Sequence, residues 1–157
     1  MNPDILSSTA GIIQTLMPAS GACGSYIITI LSDTGSICLY LTPQTYVVNH
    51  EFLRPGMKIA GFYQADAPLP EEQHSAYPVL LITSLADETN VMLSYFDQTL
   101  TASNQSLRLN ISPQTDILTA NGQRFTCHPG DHVLLVYYKS CTKSIPPQTS
   151  PLKLIAF

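Results

Sequence analysis

A repeated stretch limits the folds open to this chain more than any other feature of its sequence. Residues 37–45 (ICLYLTPQT) return as residues 107–115 (LRLNISPQT), and the two copies begin 70 residues apart. Each copy alternates its side chains as a half-buried β-strand does and then enters a Pro-Gln-Thr turn. The sequence therefore predicts an internal duplication, with one unit at residues 1–86 and a second at residues 87–157.

The correspondence between the two units extends to their later segments. Arg54-Pro55-Gly56 matches His128-Pro129-Gly130, and Gly61-Phe62-Tyr63 matches Val136-Tyr137-Tyr138. In both units the Pro-Gly pair precedes a run rich in apolar and aromatic residues, which is typical of a strand that follows a turn. We therefore expect an all-β protein with five strands in each unit.

The order of the predicted elements resembles that of the OB-fold, a five-stranded Greek-key barrel. Three strands are followed by a connector, a Pro-Gly pair, a fourth strand, a long loop and a fifth strand, and this order covers nearly the whole chain twice. The resemblance implies two small OB-like Greek-key barrels in tandem. It also implies ligand binding on the face of the second and third strands and on the loops beside that face.

The implied binding face carries different residues in the two units. It has Cys38 and Tyr40 in the first unit and Arg108 and Asn110 in the second. A thiol and a phenol would therefore stand where the second unit has a guanidinium and an amide. This difference indicates that the two faces do not bind the same ligand.

The loops implied to flank these faces differ in charge as well. They span residues 18–25 and 64–77 in the first unit and residues 139–150 in the second. The first long loop carries three acidic residues, whereas the loop of the second unit carries two lysines. The candidate ligand-binding residues are Tyr40, Tyr63, Arg108, Asn110, Tyr137, Lys139 and Lys143.

The overall charge disfavours a polyanionic partner. The chain has 7 Lys and Arg against 11 Asp and Glu, which gives a net charge of −4. Binding of single-stranded nucleic acid requires a basic groove with aromatic platforms, and tyrosines on strands more often pack as barrel residues. Only 11% of the residues are charged, which favours packing between units or between chains. We therefore expect nucleic acid to be disfavoured as a partner, and a homo-oligomer is one alternative.

Two groups of residues suggest catalytic or metal chemistry at first sight. Cys127, His128, His132 and Cys141 are residue types that bind zinc, but their spacing matches no zinc motif and two of them are adjacent. The acidic residues of the first long loop lie close to a histidine in sequence, at Glu71, Glu72 and His74, yet such neighbours are more often a solvated patch. The sequence contains no nucleophile elbow, P-loop or dinucleotide-binding glycine motif. We expect no enzyme activity, no metal and no cofactor.

The sequence also favours a cytoplasmic protein. Its N-terminus lacks the basic and then apolar pattern of a secretory signal, and no apolar run reaches the length of a membrane span. The four cysteines form no CxxC pair and would stay reduced in that compartment. Residues 137–151 resemble the C-terminal part of uncharacterised proteins from Gram-positive anaerobic bacteria, so a bacterial source is implied.

These observations favour a non-catalytic interaction or ligand-binding module, with a protein or a small molecule as its partner. One alternative is a protein that binds an oligonucleotide or an oligosaccharide through the aromatic strand face. A second alternative is a metal-dependent hydrolase built on the cysteines and histidines of the second unit. Tyrosine fluorescence should respond to the ligand in the first case, and a chelator should abolish activity in the second.

Overall fold

The computed structural model describes residues 1–66 and 76–157, and these residues form an all-β protein. Two compact units are present, residues 4–86 and residues 87–157. The strands of the first unit are β1 (Ser7–Pro18), β2 (Tyr26–Ser32), β3 (Gly35–Leu41), β4 (Tyr46–Val47), β5 (Lys58–Tyr63) and β6 (Ala76–Ser84). The strands of the second unit are β7 (Asn90–Phe96), β8 (Arg108–Leu109), β9 (Asp116–Thr119), β10 (His132–Tyr138), β11 (Gln148–Thr149) and β12 (Lys153–Ala156).

The first unit is a closed barrel of five strands, as expected for this part of the chain. β1 pairs antiparallel with β2 and β5, β2 with β3, and β5 with β6. A parallel pairing of β3 with β6, with Cys38 opposite Ala76, closes the ring. β1 serves two neighbours, since residues 7–12 pair with β5 and residues 12–18 pair with β2.

Alternate residues of these strands fill the interior of the barrel. Ile28 and Ile30 of β2, Leu39 of β3 and Ile59 of β5 are fully buried, and they pack in one cluster. The residues between them face outward, as the period of a strand requires. Burying one such side chain contributes about 1.5–3 kcal/mol, so the side chains that the alternation places inside stabilise this barrel.

The second unit contains an open sheet, and the structure does not show the second closed barrel that the resemblance implied. Its four strands lie in the order β7-β10-β12-β9, and β8 pairs with β11 in a separate parallel ladder. Residues 97–107, which follow β7, form a turn and isolated bridges where the first unit has the whole of β2. No continuous strand spans residues 97–101, and the strand expected from the repeat at residues 107–111 is reduced to Arg108–Leu109.

The two Pro-Gln-Thr turns have the same four hydrogen bonds. In residues 42–45 the Thr45 N–H donates to the Thr42 carbonyl at 3.0 Å, and the Gln44 N–H donates to the Thr42 hydroxyl at 3.2 Å. Residues 112–115 have both bonds at the same lengths. In each turn the final threonine hydroxyl accepts from the N–H of the first residue, at 3.1 and 3.3 Å. That hydroxyl donates to the carbonyl of Val79 at 2.8 Å in the first unit and of Pro151 at 2.9 Å in the second.

Candidate functional site

A groove lies at one mouth of the closed barrel, and we call it the mouth groove. It is formed by the start of β1, the β2–β3 hairpin, the end of β5 and the start of β6, and its volume is about 490 Å³. Barrel mouths are common sites for small ligands, whose pockets measure about 300–1,000 Å³. The described residues that line it are Ser8, Thr9, Ser32, Thr34, Gly35, Ser36, Ile37, Cys38, Tyr63 and Tyr77.

Two tyrosine rings form the aromatic part of the mouth groove. The ring centroids of Tyr63 and Tyr77 are 5.1 Å apart, and the ring planes are tilted by 40°. Both side chains pack against the barrel core and remain half-buried, so part of each ring faces the groove. Such a pair gives a ligand an apolar surface beside a polar phenol group.

Hydroxyl groups supply most of the remaining lining. The Ser32 hydroxyl is occupied by the hairpin, since it donates to the Gly35 carbonyl at 2.7 Å and lies 3.2 Å from the Thr34 hydroxyl. In contrast, the hydroxyls of Ser8 and Thr9 form no hydrogen bond with any described residue. The same holds for the phenols of the two groove tyrosines and for the Ser36 hydroxyl, so these groups are available to a ligand.

The mouth groove is electrically neutral over its described lining. No lysine, arginine, histidine or carboxylate is among the described residues that line it. Asp33 lies in the hairpin turn between two of these residues; it is exposed and is not part of the lining. Cys38 is one of the lining residues, and its thiol lies 3.6 Å from the Thr29 hydroxyl. Such a surface suits an uncharged polar ligand, because it has no cation to neutralise a phosphate.

Of the two ligand-binding residues predicted in the first unit, one lines the mouth groove and the other does not. Tyr63 lines the mouth groove, whereas Tyr40 lies on β3 opposite Ile27 and Pro78 and is outside the groove lining. Glu71, Glu72 and His74 lie outside the described residues. The aromatic strand face and the groove therefore share Cys38 but differ in their tyrosines.

A second, smaller groove brings together two of the predicted residues in the second unit. Its volume is about 340 Å³, and Asn110 and Lys139 line it together with Cys141 and Gln148. The Asn110 amide donates to the Gln148 side-chain oxygen at 3.1 Å. Arg108 and Lys143 are exposed but are not part of this lining. Lys139 is thus the one cation among the described residues of this groove.

Tyr137 offers little surface to a ligand. Its exposed fraction is 7%, and the Lys153 ammonium lies 4.4 Å from its ring centroid. This arrangement is a cation–π contact, which is typically worth about 0.5–2 kcal/mol. The position of Tyr137 on β10 therefore favours a role in packing.

The cysteines and histidines of the second unit do not converge. The His132 ring packs edge-on against Phe125 at 5.0 Å, and its Nδ1 donates to the Gly130 carbonyl at 2.8 Å. The His128 Nδ1 accepts from the Gly130 N–H at 3.1 Å, while Cys141 lines the second groove. Over residues 1–66 and 76–157, no three of the His, Cys, Asp and Glu side chains lie close enough to hold a metal ion.

A carboxylate network that the sequence did not indicate lies beside β7. The Tyr95 hydroxyl donates to Asp131 at 2.9 Å, and the Gln98 amide donates to the other oxygen of the same carboxylate. The hydrogen bond from Gln98, followed by that from Tyr95, lowers the pKa of Asp131 below its ordinary value. The pKa of Asp97 is also lowered, mainly by the Thr99 hydroxyl at 2.6 Å. These exposed groups fix the turn after β7 and contribute to neither groove.

The chain matches no protein-family model, and no curated protein matches it significantly. None of the helices in the described part of the chain has the length and apolar character needed to cross a membrane. The expected bacterial source, cytoplasmic location and homo-oligomer remain predictions.

Proposed function

We propose that this protein is a non-catalytic ligand-binding module and that it binds an uncharged polar ligand in the mouth groove. The observation that carries the proposal is the described lining of that groove, which combines free hydroxyls with two partly exposed tyrosine rings and has no charged group. It also has no carboxylate, imidazole or amine to act as a general acid or base. Binding therefore accounts for this surface better than catalysis does.

The proposal includes a fold assignment, in which the first barrel is of the OB type. Its ring order, β1-β2-β3-β6-β5, is the order expected of a five-stranded Greek-key barrel in which the last strand lies between the third and the fourth. The short β4, at Tyr46–Val47, belongs to the connector after the third strand. OB-type barrels bind ligands on one face and its loops, and here the groove at the barrel mouth takes that role.

The second unit is, in this proposal, a copy of the same frame that lacks one strand. Support comes from the four hydrogen bonds that the two Pro-Gln-Thr turns share and from two parallel pairings. Cys38 lies opposite Ala76 in the first unit, and Arg108 lies opposite Gln148 in the second. Without a counterpart of β2, the second unit has no hairpin to form an equivalent mouth groove.

Thermal unfolding with a panel of compounds tests the proposal, because a ligand that binds only the folded state raises the melting temperature. The panel holds neutral sugars, polyols, nucleosides and peptides, with anionic compounds for comparison. We expect neutral compounds to stabilise the wild type and the Ser20→Trp variant, in which an exposed loop serine outside the groove is changed. Ser36→Trp, which fills the groove from an exposed strand position, should abolish the effect. Equal stabilisation of both variants would contradict the proposed site.

A further inference from the structure

We propose that the ligand of the mouth groove is a neutral carbohydrate, with one sugar ring packed against the Tyr63–Tyr77 pair. This inference rests on the proposed function and adds the chemical class of the ligand. A pyranose presents C–H groups on its faces and hydroxyls around its edge. A site for it needs an apolar platform bordered by groups that both donate and accept hydrogen bonds.

The tyrosine pair supplies the platform. The two rings, 5.1 Å apart and tilted by 40°, form a shallow angular surface instead of a flat stack. Because both rings also pack against the barrel core, the platform is held in place before a ligand binds. A preformed surface reduces the entropy lost on binding, which is a main cost of association.

The hydroxyls around the platform match the edge of a sugar. Ser8 and Thr9 of β1 and Ser36 of β3 line the groove, and their hydroxyls form no hydrogen bond with a described residue. A hydroxyl has one donor and two acceptor positions, so each can pair with a sugar hydroxyl in either direction. This adaptable chemistry suits a ligand whose polar groups are themselves hydroxyls.

The absence of charge in the described lining separates this class from its closest competitors. A uronic or sialic acid carries a carboxylate, and a nucleotide carries a phosphate, and either group would lose water here without gaining a cationic partner. An apolar ligand would bury several of these hydroxyls without giving them a hydrogen-bond partner. Neutral mono- to trisaccharide units are the class that fits both observations.

Cys38 provides a direct readout of occupancy. Cys38 lines the groove and is partly exposed, whereas Cys127 is an exposed cysteine of the other unit and serves as an internal control. The experiment measures iodoacetamide alkylation of each cysteine by mass spectrometry in the full chain. The probes are neutral trisaccharides of glucose, N-acetylglucosamine, mannose and xylose, with sialyllactose, a nucleoside and a neutral tripeptide for comparison. We expect at least one neutral trisaccharide to slow alkylation of Cys38 and leave that of Cys127 unchanged.

Variants then locate the sugar within the groove. Tyr77→Ala should weaken binding about tenfold or more, and Tyr77→Phe should weaken it by about two- to tenfold, the range for one neutral hydrogen bond. Tyr40→Ala, a matched change on the same barrel but outside the groove lining, should leave the affinity unchanged. If Tyr77→Ala does not fold, Ser36→Trp tests the same groove from an exposed position.

The possible results separate this inference from the function on which it rests. Protection of Cys38 by the nucleoside or the tripeptide, and by no saccharide, would overturn the carbohydrate class and leave the neutral binding site standing. Saccharide binding that Tyr40→Ala weakens as much as Tyr77→Ala does would place the sugar on the outer strand face and overturn the inference. Failure of every compound to protect Cys38 or to change tyrosine emission would overturn both proposals.

Discussion

The threonine that ends each Pro-Gln-Thr turn anchors the turn to a distant strand. The Thr115 hydroxyl is buried, accepts from the Ser112 N–H at 3.3 Å and donates to the Pro151 carbonyl at 2.9 Å. Thr115→Val keeps the shape and removes both bonds, so we expect the free energy of unfolding to fall by about 1–3 kcal/mol, the usual cost of leaving buried polar groups unpaired. Urea unfolding measures this, with the exposed Thr126→Val as the control. Equal midpoints for the two variants would show that the hydroxyl does not stabilise the turn.

The carboxylate of Asp131 gives a prediction about pH at the same scale. Its folded-state pKa is lowered, first by the Gln98 amide and then by the Tyr95 hydroxyl. A lowered folded pKa means that this network contributes stability above the ordinary carboxyl pKa and loses it as the pH falls through the folded value. Gln98→Ala should therefore raise the pKa of Asp131, as measured by ¹³C NMR titration of the carboxyl carbon. Gln123→Ala, an exposed change in another turn, should leave it where it is.

At the scale of the element, β1 is the strand that allows the barrel to close. It passes from β5 to β2 at Ile12, and there the backbones come so close that a Cβ atom on Gly11 would lie 2.2 Å from the Leu31 carbonyl oxygen. A glycine in a strand interior often marks such a close approach. A methyl group at this position must push β1 away from β2, because a backbone atom cannot rotate aside.

This geometry predicts different costs for two glycine substitutions in the same barrel. Gly11→Ala should lower the free energy of unfolding of the first unit by about 1–3 kcal/mol or more, the usual cost of overpacking. At Gly61 an added Cβ would lie 2.8 Å from the Leu39 Cδ1, the mobile end of a side chain. Gly61→Ala should therefore cost less in the same urea experiment. The opposite order would mean that the contact between β1 and β2 does not limit barrel closure.

How far the elements follow from sequence depends on whether the evidence for them is local. β3 and β5 were predicted because alternation and the Pro-Gly pair are read within a few residues. The open sheet of the second unit was not predicted, since the repeat at residues 107–115 suggested the same five strands as in the first unit. Closure depends instead on whether the segment of residues 97–107 is long enough to form a further strand. The repeated motifs themselves do not show the length of that segment.

At the scale of the whole molecule, the mouth groove exists only because the barrel closes. Closure brings Ser8 and Thr9 beside a hairpin centred on residue 34 and beside Tyr63 and Tyr77, residues spread over 70 positions of the chain. The sequence indicated Tyr63 as an aromatic candidate and Cys38 as part of a strand face. Ser8 and Thr9 could not be identified from the sequence, because the residues around them look like those at the start of any exposed strand.

The charge of the whole molecule gives the last prediction, which concerns salt. Residues 1–86 carry six acidic and two basic side chains, a sum of −4, and the mouth groove, whose described lining is uncharged, lies in this acidic part. Because nucleic acid binding depends on phosphate neutralisation, we expect a short oligothymidylate neither to change tyrosine emission nor to protect Cys38, even at about 50 mM salt. The chain has no tryptophan, so its emission reports on tyrosines directly.

Binding of a neutral trisaccharide, in contrast, should have the same affinity at about 50 and 200 mM salt, because no counterions are released from an uncharged ligand. A protein with several phosphate contacts would lose affinity by orders of magnitude over that range. Parallel calorimetric titrations of the two ligands at both salt concentrations, with Ser36→Trp as the control for the groove, measure the difference. A steep loss of affinity for oligothymidylate with salt, abolished by Ser36→Trp, would replace the neutral ligand with a polyanion. It would also mean that cations outside the described lining reach the mouth groove.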